Sequence, residues 1–148
     1  MSYQERRSLV HLFGSIVVTS LYGVYMSGRY PDVDPYTAEM FHFWGTFFLL
    51  LIPVSIVAKI IINIIFSIIN TIITQHEEPL MMDERDKLIE LKALRNSLYL
   101  FGIGVIVAMG SLVWEMSPSV MFLLLFMAGF IADLVGDLSQ FYFYRRGY

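Results

Sequence analysis

The chain has 148 residues, of which 57% are hydrophobic and 16% charged, and its mean hydropathy is +0.64. Ordinary soluble domains carry roughly 45–50% apolar and about 25% charged residues, and a globule this small cannot hide such a surplus. The formal net charge of −3 argues against a nucleic-acid partner, and the absence of Cys removes disulfides, thiolate catalysis and Cys-ligated metal centres. The class that remains is an all-α integral membrane protein, a single membrane domain over residues 1–148.

Four apolar stretches run from Leu9 to Met26, Phe41 to Ile73, Ser97 to Trp114 and Val120 to Tyr144. Each meets the roughly 20 residues needed to cross a hydrocarbon core of about 30 Å. In lipid they must be helices, because every backbone group needs an internal partner. The expected spans are about 9–27, 40–60 with a helical extension to 74, 96–115 and 119–142. The first follows Arg6 and Arg7 as a signal peptide would. Bulky Leu21, Tyr22, Tyr25 and Met26 at its far end and the lack of an Ala-x-Ala site make it a retained helix.

Lys and Arg set the expected orientation. Arg6, Arg7, Arg85, Lys87, Lys92, Arg95, Arg145 and Arg146 flank one side of the spans, and Arg29 alone flanks the other. By the positive-inside rule both termini and the loop after the second span are cytoplasmic, in the inner membrane of a prokaryote. Aromatic residues agree, with Tyr22, Tyr25, Tyr30, Tyr36, Phe43, Trp44 and Trp114 gathered at the outer ends.

The second stretch is too long for one crossing, since 33 residues make a helix of roughly 50 Å. Lys59 falls near the inner headgroups. Beyond it Asn63, Ser67, Asn70 and Thr74 draw one polar stripe down a helix otherwise built of Ile. The stripe faces the bundle if the helix is simply long and tilted. Alternatively, the helix leaves the membrane and buries its Ile side chains elsewhere. Glu77, Glu78 and Pro79 break it, and Asp83 then offers an N-cap to a charged helix that runs on into the third span. These two segments form a short cytoplasmic helical hairpin. The hairpin cannot cover all the Ile side chains, so a second copy of the chain is expected on a face formed by Ile64, Ile68 and Ile72. That face can complement itself across a two-fold axis. Membrane lipids and a membrane protein partner are the other expected neighbours.

The run Met82-Asp83-Glu84-Arg85-Asp86-Lys87-Leu88-Ile89-Glu90-Leu91-Lys92-Ala93 resembles a group of small prokaryotic multi-pass membrane proteins with a D-E-R-D/E motif just before a transmembrane helix. The resemblance implies several membrane helices and an acidic–basic cytoplasmic segment, and no activity.

Asp133 and Asp137 stand at i, i+4 on the fourth span and share one face. Counted from Val120 they lie roughly 20 and 26 Å into the membrane. Intramembrane carboxylates are costly and mark functional sites by default. Here Arg6, Arg7, His11, Lys59 and Arg95 fall at a similar level, so the favoured reading is an ion-pair layer of Asp133, Asp137, Lys59, Arg95 and His11 that ties the helix ends together. A proton or cation pathway through the two carboxylates is the alternative, and a substrate site is a third. Gly129-x3-Asp133-x3-Asp137 matches the tail of the CDP-alcohol phosphotransferase signature, but the D-x2-D-G-x2-A-R half is missing, since Asp83-x2-Asp86 is followed by Lys87.

Small residues at Ala128, Ala132 and Gly136, at Ser15, Thr19 and Gly23, and at Gly104 and Ala108 are expected bundle contacts. Glu39-x2-His42 is a weak outer-face candidate for a metal, with Asp32 and Asp34 upstream, and solvated loop residues are the favoured reading. His11, His42 and His76 lie at different depths, which excludes a bis-His haem within one chain. Nucleophile and phosphate-loop motifs are missing. The chain is therefore expected to be no enzyme and to need no cofactor. The expected role is a homo-oligomeric scaffold, accessory subunit or regulator, with a minimal ion or proton-coupled transporter as the rival.

Overall fold

A computed structural model describes residues 3–74 and 83–147. Its four helices are α1 (Tyr3–Ser27), α2 (Ala38–Thr74), α3 (Glu84–Val113) and α4 (Pro118–Arg146). All four are long and apolar enough to cross a membrane. The helix break expected at Glu77–Pro79 lies outside the described residues.

Local chemistry sets the helix ends. Asp83 caps α3 through a reciprocal capping box, its side chain accepting from the first turn while Asp86 accepts from the Asp83 N–H. Pro118 sits in the first turn of α4, where its missing N–H costs nothing, and Gly147 ends that helix at a left-handed φ of 77°. Pro53 lies inside α2, where it removes one ladder donor without ending the helix.

The packing order differs from the chain order. α1 packs on both α2 and α4, and α3 packs along α4 alone. α2 and α4 touch at only a few places, and among the described residues α2 and α3 do not touch. Both arms of the expected hairpin are thus helical, but they do not cover each other. Asn63 of α2 goes to α1, Lys59 to α4, and the first turns of α3 go to the end of α4. Small residues allow the second pairing. Ala108 and Ala132 are buried, Gly136 lies 3.5 Å (from an added Cβ) from the Ser97 side chain, and a Cβ on Gly104 would collide with Ala128.

One end of the molecule holds the buried aromatic core of Tyr22, Met26, Met40, Trp44 and Phe47, with Phe122 and Phe126 packed against it. Trp44 stacks on Phe122 at 5.5 Å and 20°, and the Tyr22 hydroxyl donates to the Phe47 carbonyl at 2.5 Å. Ser119 accepts from both Tyr30 Oη (3.1 Å) and Trp44 Nε1 (3.3 Å). The opposite end carries both termini and the polar groups of the candidate site.

Candidate functional site

Most of the polar layer expected from the sequence assembles where α1, α2 and α4 meet. Lys59 of α2 pairs with Asp133 of α4, Nζ to Oδ1 at 2.5 Å, with side chains 46% and 35% exposed. One helical turn further along α4, Asp137 accepts from Ser15 Oγ of α1 at 3.5 Å. Asn63, one turn beyond Lys59, accepts from Arg7 Nε at 3.3 Å, and His11 Nε2 lies 2.9 Å from the same oxygen. The polar stripe of α2 therefore faces the bundle at Asn63 and Asn70, while Ser67 is exposed.

Arg95 is the member that stands apart. Asn96 donates to Ser139 Oγ, which puts Arg95 close to Asp137 in depth. Yet α3 turns Ile89, Ala93 and Ser97 toward α4, and Arg95 points away from them, exposed and unpaired with either carboxylate. Arg6 is half-buried on α1, beside the layer.

Two participants were not legible as such. The sequence marks Ser15 only as a small residue, and Asn63 only as one point on a stripe. The signal was there in antiparallel depth: His11 and Asn63 each lie about one turn beyond the ion-pair level on adjacent helices.

Above the Lys59–Asp133 pair a cleft of about 480 Å³ separates α2 from α4. Phe48, Leu51, Ile56, Phe126 and Phe130 form much of its apolar wall, and Ser15 and Lys59 lie at its polar end. The ion pair bridges this gap between two helices that otherwise touch little. In water an exposed pair contributes roughly 0–1 kcal/mol. Within a span, leaving either charge unpaired is costlier by a few kcal/mol. The arrangement can clamp two helices, and among the described residues no cation lies within ion-pair distance of Asp137.

The remaining candidates lie elsewhere. Glu39 and His42 are both exposed at the start of α2, and no third ligand joins them among the described residues. Asp86 and Glu90 lie near the Tyr144 side chain at the end of α4, about three helical turns along α4 from the Asp133 pair. Ile64, Ile68 and Ile72 are 53%, 54% and 71% exposed on the side of α2 opposite buried Phe66 and Asn70. Against known protein families, curated proteins and solved structures, the chain finds no match.

Proposed function

We propose that this chain is a non-enzymatic multi-pass protein of a prokaryotic inner membrane, with both termini cytoplasmic, that works as a homo-oligomeric scaffold, accessory subunit or regulator. The observation that carries the reading is the unpaired end of α2. Past Lys59 the helix runs on for about four turns. There α1 covers one side through Tyr3 and Phe66, whose rings are 5.2 Å apart. The opposite, Ile-rich side has no neighbour among the described residues. Burying one Ile is worth about 1.5–3 kcal/mol, so several Ile side chains beyond the hydrocarbon boundary call for a protein cover.

Single-molecule counting of labelled chains in nanodiscs tests this reading. Dimers that fall apart when Ile64, Ile68 and Ile72 are changed together to Ser are the expected result, and a monomeric parent chain would overturn it. Orientation has its own test: a reporter active only in the cytoplasm should work at the C-terminus and fail near Asp34.

Asp137 favours a second reading, ion or proton-coupled transport, because its hydrogen bond comes from Ser15 and, among the described residues, no cation lies within ion-pair distance of it. Flux in liposomes that disappears in Asp137→Asn would support that role. Absence of flux in the parent would remove it.

A further inference from the structure

We propose that two copies pair crosswise, the Ile stripe of α2 in one copy lying against a Leu stripe of α3 in the other, so that the α2–α3 contact missing among the described residues of one chain forms between two. The proposal rests on the oligomeric reading above and names the surface that covers α2. Leu88, Leu91, Leu94 and Leu98 are all exposed along the first half of α3. With Ile89 and Ala93 buried, these Leu side chains occupy the face opposite α4.

The two stripes match in depth. Lys59 is level with Asp133 through their ion pair. Asn96 is level with Ser139, and Ser97 with Gly136. At a 1.5 Å rise per residue these ties put Leu91 within about one turn of Ile68. By the same count Leu98 falls near Ile61, Leu94 near Ile64 and Ile65, and Leu88 near Ile72. α2 and α3 run in opposite directions, so the pairing is that of an antiparallel helix pair.

A two-fold axis along the membrane normal keeps every residue at its own depth. It therefore brings depth-matched stripes together, and each copy contributes both an α2 and an α3 stripe. Self-pairing of α2 would cover its Ile side chains and leave the α3 Leu side chains open. Crosswise pairing covers both. Nine side chains about half exposed or more offer on the order of 700 Å² per copy, close to the roughly 800 Å² that each partner contributes to a standard interface. The end of α2 also carries no charge between Ile60 and Ile73, so it brings no like charge to Lys87, which lies on the Leu side of α3. Arg95 sits within the Leu stripe, and long helical side chains point toward their helix N-terminus, which here leads its guanidinium to the water-facing end.

The Cys-free chain makes the test direct. Two differently tagged chains are co-expressed, one carrying Ile68→Cys and the other Leu91→Cys, and membranes are oxidised. All these positions are exposed in a single copy, so the substitutions leave the fold in place. Mixed-tag dimers should form at least about tenfold more than with Ile68→Cys against Ile106→Cys, because a disulfide needs Cα atoms within about 7 Å. The pairs Ile64→Cys with Leu94→Cys and Ile72→Cys with Leu88→Cys should follow the same register. Strong 64–64 and 68–68 crosslinks without the 68–91 product would overturn the crosswise contact and leave the dimer standing. No crosslink at any pair, with lipid-borne quenchers reaching labels along 60–73, would overturn the dimer as well and show lipid as the cover.

Discussion

The two ends of the bundle solve the same problem differently. At the aromatic end, large rings reach from helix to helix, and Trp44 joins α2 to α4 by stacking on Phe122 while its indole N–H finds Ser119. At the terminal end α2 offers mainly Ile, whose short branched side chains do not reach α4, and polar bonds from Lys59 and Asn63 hold it instead. Lipid tails are as apolar as Leu or Ile, so hydrophobicity alone does not draw helices together inside a membrane. Shape and hydrogen bonding decide. The end rich in interlocking rings is closed, and the end with a few polar clamps keeps a free helix face.

The closed end should therefore be the more costly to damage. Trp44→Ala removes a buried ring that touches Phe43, Phe47, Phe48 and Phe122. A loss of about 3–5 kcal/mol is expected from denaturation in micelles followed by circular dichroism. A loss under 1 kcal/mol would mean that the aromatic cluster packs only loosely.

Two glycines sharpen the comparison between rigid and adaptable contacts. A Cβ on Gly104 meets the Ala128 Cβ, with the Ala128 backbone Cα at 3.3 Å behind it, so α3 and α4 must part. A Cβ on Gly14 meets mainly the Cδ1 tip of Ile62, which can rotate away. Gly104→Ala should cost about 1–3 kcal/mol. Gly14→Ala should be near neutral, since the gain in helix propensity of about 1 kcal/mol offsets mild crowding. Equal costs would contradict the difference between the two sites.

At the open end, Lys59→Met removes the cation that holds Asp133. Both side chains are more than a third exposed, so the expected loss is about 1–2 kcal/mol. The exchange Lys59→Asp with Asp133→Lys should recover at least half of it, because the pair needs opposite charges rather than a given order. If the exchange is no better than the single change, the two groups are not acting as a pair.

Much of the fold was legible because membrane spans, their ends and their flanking charges are read from local composition. The expected 40–60 span with its extension to 74 and the observed Ala38–Thr74 helix agree because the Ile run carries no breaker after Pro53. The N-cap at Asp83 was legible from one carboxylate before a charged turn. The partners of each helix were not. Leu91 and Ile89 look alike in sequence, yet Ile89 is buried on α4 and Leu91 is exposed. A lipid-facing and a protein-facing aliphatic residue carry the same hydropathy, so the separation of α3 from α2 left no mark. In the candidate site, Lys59 and Asp133 were legible from charge and depth. Arg95 was misplaced because depth alone does not say which face of α3 it occupies.

The one expected gain in stability lies at the turn between α3 and α4, at the closed end. Glu115 has a φ of 57°, in the left-handed region. The surrounding bonds explain it. Glu115 N–H donates to Leu112 O at 3.1 Å and Met116 N–H to Ser111 O at 3.1 Å, which together form a Schellman C-cap with Glu115 at the position glycine usually takes. A side chain there brings its Cβ against the backbone, at roughly 1–2 kcal/mol. Glycine removes that strain but adds freedom to the unfolded chain, so the net gain is smaller. Glu115 is exposed at the end of the molecule, and its carboxylate has no ion pair among the described residues that the change would break. Glu115→Gly should thus stabilise the protein by about 0.5–1 kcal/mol in the same denaturation assay. Glu115→Ala should not, since alanine keeps the Cβ. Equal stabilisation by the two changes would show that the lost charge, and not the backbone, is responsible.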